Sequence, residues 1–313
     1  MLTFTLKRLV SGVILLAVVA TATFFLAHAA IPDPTLGLLG SAATPEAQQA
    51  LAAKIGTDRP VIVQFGDWIA GLFRGDLGDS WKNFQPVGAQ IALKLPVTLS
   101  VVTAAVLLSA ALGGLLGVLA GLRPGTWIDR LVKAGAVILF ALPGFWVALL
   151  LVMTFAVQLK WFPAVGYVQP QESVGGWLQS ITLPAISLAL GAVVMIAEQL
   201  RNAIIRADGL DYMRTLRSRG LPQWRIVVHL LRNSAPPSLT ILALMFVGLL
   251  SGAIIVEQIF ALPGIGPLTQ ASSQNGDIPM LLGITVVTVV FVVIINFLLD
   301  ILLGWINPKA RVK

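Results

Sequence analysis

Five arginines crowd into residues 211–233 of a chain that elsewhere is nearly continuous hydrocarbon: Arg214, Arg217, Arg219, Arg225 and Arg232. Gly220, Leu221 and Pro222 break the run, with helical patterning on both sides of the break. A guanidinium keeps its charge at any biological pH and presents a planar set of donors that fits carboxylates and phosphates. A lipid interior will not host such a stretch. It reads as a loop on the cytoplasmic side, long enough to dock a soluble partner. The blander reading makes the arginines topology signals and lipid anchors only.

Other chemistry is missing. There is no G-x-x-x-x-G-K-[ST] loop for nucleotide phosphates and no H-E-x-x-H or G-x-S-x-G. Cysteine is absent, which excludes disulfides, thiolate catalysis and cysteine-ligated metals. His28 and His229 are the only histidines, too few for a histidine-rich metal site. No cofactor and no metal site is expected. A proton-driven transporter usually carries ionisable groups inside its spans. Here Glu198, Glu257 and Asp300 lie near the ends of apolar stretches.

These residues need elements to hold them. The chain has 313 residues, 57% hydrophobic and 11% charged, with a mean hydropathy of +0.89. Soluble domains carry about 25% charged residues. The chain is therefore read as an all-α, polytopic membrane protein. Apolar stretches long enough to cross a bilayer occur at 9–31, 96–122, 131–157, 181–197, 236–256 and 281–305, of which the fourth is short. Residues 9–31 are longer than a signal-peptide core, despite a cleavage-like Ala27, His28, Ala29, and are read as a retained helix. Six spans put both termini on one side. The net charge of +7 reflects topology rather than nucleic acid. The connections carrying Lys7, Arg8, Arg123, Arg130, Lys133, the arginines from Arg201 to Arg232, and Lys309, Arg311 and Lys313 hold fifteen basic residues, against six on the other side. That makes the first set, and both termini, cytoplasmic.

Domain boundaries follow: a first span at 1–31, an external loop at 32–95 and a membrane core at 96–313, with a cytoplasmic loop at 198–235. In the external loop, residues 44–54 predict a helix capped by Thr44 with Pro45 in its first turn. Residues 61–73 predict an amphipathic helix, with Trp68 suited to the membrane interface. The sequence LPGIGP at 262–267 predicts an irregular outer loop.

Several short motifs stand in order along the chain: Ile31 to Pro34; Asp58, Arg59, Pro60 and Gln64; Arg74 to Gly78 with Ser80; Leu95, Pro96, Thr98 and Leu99; and Leu142, Pro143, Phe145 and Trp146. Then come Asp211 to Thr215; Arg219, Gly220 and Leu221; Leu231 to Asn233; Val256, Glu257, Ile259 and Phe260; Pro263, Gly264 and Gly266; Asp277 to Pro279; and Asn296, Asp300 and Pro308. In order and spacing the chain resembles the integral membrane permease subunits of bacterial ABC importers, in the dipeptide, oligopeptide and nickel group. The likeness covers almost the whole length. Residues 214–220 look like the EAA loop of such importers, with Arg214, Thr215 and Leu216 at the Glu-Ala-Ala positions and Gly220 at the glycine. Leu216 departs from the alanine common in the peptide group.

The resemblance implies an ABC importer type I permease fold in the bacterial inner membrane. It implies half of a pathway for di- or oligopeptides, with no enzymatic activity in this subunit. Expected partners are a second, homologous permease in a heterodimer, two ATP-binding subunits, an extracytoplasmic substrate-binding protein and membrane lipid. The ATPase-coupling loop would use Asp208, Leu210, Asp211, Tyr212, Arg214, Thr215, Arg219 and Gly220. Leu210, Tyr212, Met213 and Leu216 would enter a groove on the partner, with Trp224 anchoring the return. Glu257, Asn296 and Asp300 are pathway or gate candidates. Glu257 lines an outer mouth or holds the outer loop. Asn296 and Asp300 share a helix face, where Asp300 can instead pair with an arginine. Pro143 kinks the third span. Nickel chelates and glutathione stay open as substrates, and a stand-alone proton-coupled secondary transporter is the alternative reading.

Overall fold

The computed structural model describes residues 2–40 and 43–306, apart from the side chains of residues 2–5, 140, 235, 300 and 302–306. Lys309, Arg311 and Lys313 lie outside the described residues. In chain order the helices are α1 (Leu2–Ala30), α2 (Pro34–Leu39), α3 (Pro45–Ile55), α4 (Val61–Phe73), α5 (Val87–Leu122), α6 (Trp127–Ala141) and α7 (Gly144–Leu151). A π-helical stretch, Val152–Gln158, continues α7. Then follow α8 (Val174–Asp208), α9 (Asp211–Ser218), α10 (Gln223–Ile259), α11 (Ile265–Asn275) and α12 (Ile278–Ile306). Among the described residues the β-structure is one isolated bridge, Asp79 with Pro86. Among the described residues five helices are long and apolar enough to cross a membrane, and six crossings result if α6 and α7 form one broken span.

The packing divides the chain into two compact units, one of Leu99–Leu262 with Ile295 onward and one of Leu6–Thr98 with Pro263–Ile294. In the first unit α8 is the helix that the others surround. Its approach to α5 depends on Gly113, Gly117 and Gly121, one turn apart. A Cβ at these positions would stand 2.7 Å from the Val193 carbonyl oxygen, 2.8 Å from that of Ala197 and 2.9 Å from the Ile204 Cβ. Small residues at this spacing let two membrane helices touch along their backbones. Ala120, Val132 and Ala197 close the seam with α6.

Two expectations change in this unit. The fourth span is not short. α8 runs for 35 residues and continues through Glu198 and Arg201 to Asp208, because Arg201 finds a carboxylate partner on α6. The third span is broken rather than kinked. α6 and α7 meet at 105° across Leu142 and Pro143. Pro143 has no N–H to continue the ladder, and it disfavours helical dihedrals at Leu142. An apolar cavity of about 320 Å³ adjoins the break, its walls including Leu142, Gly144, Phe145, Gly191, Gly248 and Gly252.

The second unit is tied together by polar caps. Thr44 accepts a hydrogen bond from the Ala47 N–H at 3.3 Å and starts α3 as the sequence predicts, with Pro45 in the first turn. α4 also has its predicted bounds. Trp68, however, packs with Phe65 around Phe24, Ile278 and Leu282 instead of facing lipid. α4 exposes Ile62 and Phe73. Asp277 precedes α12 and is buried. Its carboxylate accepts from Ser80 Oγ at 2.5 Å, from the Trp81 N–H at 3.0 Å and from the Met280 N–H at 3.4 Å. The LPGIGP segment is irregular only as far as Gly264. α11 begins at Ile265 and admits Pro267 in its first turn, where a helix has no acceptor for an N–H in any case. The Ile265 N–H donates instead to Thr98 Oγ1 at 2.9 Å.

The glycine seam is testable by size. Gly117→Val forces a side chain against the Ala197 carbonyl oxygen, and overpacking of this kind costs about 1–3 kcal/mol. Thermal unfolding of the purified protein should show a lower midpoint for Gly117→Val. Gly114→Ala, where a Cβ meets nothing within 4 Å, should leave the midpoint unchanged or slightly raised.

Candidate functional site

The arginine-rich stretch folds as a helical hairpin. α8 stops at Asp208, Gly209 and Leu210 turn the chain, and α9 carries the next eight residues. Gly220 then adopts φ +68°, a left-handed conformation that costs a side-chain-bearing residue dearly. Pro222 sets the entry into α10.

One face of α9 is fixed to its own chain. Met213 is fully buried among Ala207, Ile226 and Leu230, flanked by Tyr212, Leu216 and Leu221. The Tyr212 hydroxyl accepts from Asn233 Nδ2 of α10 at 2.7 Å. Arg217 donates to the Asp208 carboxylate at the end of α8. α9 is thereby fastened to both long helices that flank it. Met213 is thus part of the chain's own core and cannot enter a partner's groove, and Tyr212 and Leu216 turn mostly the same way. The expectation misassigned the apolar face of α9 because α10, which covers that face, follows a turn that composition alone does not aim.

The other face is bare. Leu210, Asp211, Arg214, Thr215, Arg219 and Gly220 are exposed. Arg214 lies 3.8 Å from Asp211, but both side chains are at least 80% exposed, where such pairs contribute at most about 1 kcal/mol. Thr215 Oγ1 donates to the Asp211 carbonyl at 3.2 Å. Trp224 is exposed under the Arg225 guanidinium, 5.2 Å from the ring centroid. Behind α9 lies a cavity of about 400 Å³, bordered by Arg123, Ile204, Asp208, Arg217 and Ile226 among others.

The pathway candidates do not join this cluster. Glu257 stands near the opposite end of α10, about 50 Å along the helix from Gln223 at 1.5 Å per residue. Its side chain is fully buried. Its carbonyl accepts from the Leu262 N–H at 2.8 Å and closes the turn after α10. Asn296 is half-buried on α12. The Asp300 side chain lies outside the described residues.

Sequence reasoning passed over Asp129. It is only 2% exposed in the first turn of α6, where it accepts from Arg201 Nε of α8 and, at 2.8 Å, from the Gly125 N–H. Lys133 approaches to 3.4 Å. The available signal was its isolation as the only acidic residue between Asp79 and Glu172.

Long apolar helices, a broken span and a helical hairpin presented between two of them define a multi-pass membrane protein. The chain belongs to the family described as binding-protein-dependent transport system inner membrane component, which matches residues 113–312, and its N-terminal companion matches residues 1–102. It is an inner-membrane permease of an ABC importer. A protein of Brucella abortus (strain 2308), provisionally named a peptide transport system permease, is 36% identical over 98% of each chain. A protein of Escherichia coli K12, provisionally named the D,D-dipeptide transport system permease DdpB, is 33% identical over 95% of this chain and 94% of its own. The glutathione transport system permease GsiC of Salmonella typhimurium LT2 is 31% identical over the full length of both. Among solved structures, an inward-facing form of the MetNI methionine ABC transporter aligns with TM-score 0.51 and 16% identity, covering 69% of this chain and 96% of that one. At that identity the likeness bears on the fold alone.

The burial of Met213 predicts a local defect. Truncating a buried methionine to alanine costs about 2–5 kcal/mol. Met213→Ala should speed tryptic cleavage within α9, at Arg214 and Arg217, in detergent-solubilised protein. Met213→Leu should not.

Proposed function

We propose that this chain is one of two homologous, non-identical permeases of an ATP-driven importer of peptides. An extracytoplasmic binding protein hands substrate to the permease pair, and two separate ATP-binding subunits drive transport from the cytoplasmic side. The observation that carries this reading is the two-sided build of α9. Met213, Tyr212 and Arg217 tie one face to α8 and α10, while Leu210, Asp211, Arg214, Thr215 and Arg219 face outward with no partner groove of their own. A helix held in this way can be pushed by a partner and pass the push to two spans. Asp208 contributes by holding Arg217, and Gly220 by turning the chain. Peptide substrates are supported by relatives named for peptide, D,D-dipeptide and glutathione transport. Glu257, Asn296 and Asp300 are proposed as pathway or gate residues.

Affinity purification of the chain from gently solubilised native membranes, with mass spectrometry and an ATPase assay, tests the reading. Recovery of a second permease and ATP-binding subunits, with hydrolysis stimulated by a binding protein plus peptide, is expected. A chain recovered alone, with no ATPase, would overturn it.

Two variants sharpen this. Gly220→Val strains the turn after α9 and should separate hydrolysis from transport, or release the ATP-binding subunits, while the protein still inserts. Orientation is read by single cysteines in this cysteine-free chain. Asp58→Cys and Ser218→Cys should react with an impermeant thiol reagent from opposite sides of the membrane, and labelling from one side would refute the cytoplasmic placement of α9.

A further inference from the structure

The first unit contains a second fastening, two helical turns above the hairpin, that the coupling reading does not use. Asp129 is buried in the first turn of α6, and the Arg201 side chain is 11% exposed on α8. Arg201 gives Nε to the Asp129 carboxylate and an Nη1 hydrogen to Asn202 Oδ1 at 2.7 Å. The Gly125 N–H fills the other carboxylate oxygen at 2.8 Å and so ties the loop before α6 into the same knot. α5 reaches this level too: a Cβ at Gly121 would stand 3.2 Å from the Arg201 Cα. Seven residues further along α8, about 10 Å, Asp208 takes Arg217 of α9. Two carboxylate–guanidinium links therefore lie in series, α9 to α8 and α8 to α6.

We propose that Asp129 and Arg201 are positioning residues for energy coupling. Their pair clamps α6 to α8, so that a displacement of α9 carries both spans as one body. The proposal rests on α9 being the ATPase-docking element. Physical chemistry favours this role over simple stabilisation. A buried ion pair gains little net stability over well-packed apolar side chains of equal volume. It does impose a single register, because Arg201 Nε must meet a carboxylate already held by Gly125. Apolar packing at the same seam, Ala120, Val132 and Ala197, carries no directional contact of this kind.

The test uses the complete importer in lipid vesicles, with transport and ATP hydrolysis measured together. The double variant Asp129→Asn/Arg201→Met removes both charges, so neither is left buried alone. It should assemble and hydrolyse ATP, while substrate moved per ATP falls about tenfold, within the range usual for coupling free energies. An unchanged ratio would reduce the pair to a stabilising element and overturn the proposal. A covalent clamp supplies the second arm. A Cβ at Gly135 of α6 would lie 3.5 Å from Val194 Cγ2 of α8, so Gly135→Cys with Val194→Cys can be joined by oxidation. Transport should survive this cross-link, and in the Asp129→Asn/Arg201→Met background the cross-link should restore the ratio. Transport lost on oxidation and regained on reduction would show that α6 and α8 must part, and would overturn the proposal even if the charge variant fails to assemble. The two readings fail differently. A wild-type chain without ATP-binding partners sinks the coupling reading itself. A coupled wild type with indifferent variants sinks only the clamp.

Discussion

Hydrocarbon offers a polypeptide no hydrogen-bond partners, and that shortage governs every element of this chain. The long helices satisfy their own main chains. Their hydroxyl side chains turn back on the preceding turn: Ser187 onto Pro184, Ser251 onto Val247 and Thr285 onto Leu281. Charges obey the same rule. Asp129 and Arg201 are tolerated inside the first unit because each completes the other. With lipid as apolar as leucine, the helices gain nothing from hydrophobicity by meeting each other. They meet where backbones can touch, along Gly113, Gly117 and Gly121, or where polar groups must be shared.

Interruptions of the helices obey the same rule. A break costs main-chain hydrogen bonds, so it persists where something else takes them up. At the start of α11 the hydroxyl of Thr98 receives the Ile265 N–H. At the hairpin the left-handed Gly220 and the interruption at Gly209 and Leu210 isolate eight residues from two helices of 35 and 37. That isolation makes α9 a separate element rather than a continuation of either neighbour.

Local signals were legible in the sequence, and distant ones were not. Thr44 with Pro45, and the periodicity of 61–73, predict α3 and α4 closely because a cap or an amphipathic face depends on neighbours within one turn. The hairpin was legible through Gly209, Gly220 and Pro222. The length of α8 was not, since Arg201 looks like a span-ending charge until its carboxylate, 72 residues earlier, is seen beside it. Asp129 was overlooked for the same reason. Pro143 signalled distortion, but a proline's sequence context does not say whether the chain bends or breaks. Met213 carried the right apolar character, and only the fold says whose core it fills. Ser80 and Asp277 stood as separate motifs until the structure made them one contact.

That last contact bears on how the protein is made. The segment around Ser80 in the second unit is held by Asp277, whose carboxylate accepts from Ser80, 197 residues upstream. Between them in the chain lies nearly all of the first unit. At about 5–20 residues per second, a ribosome needs roughly 10–40 s to travel from one to the other. Through that interval the segment around Ser80 has emerged without its partner, while most of the first unit is being laid down. The contact that joins these two parts of the second unit therefore forms only after most of the first unit has been made.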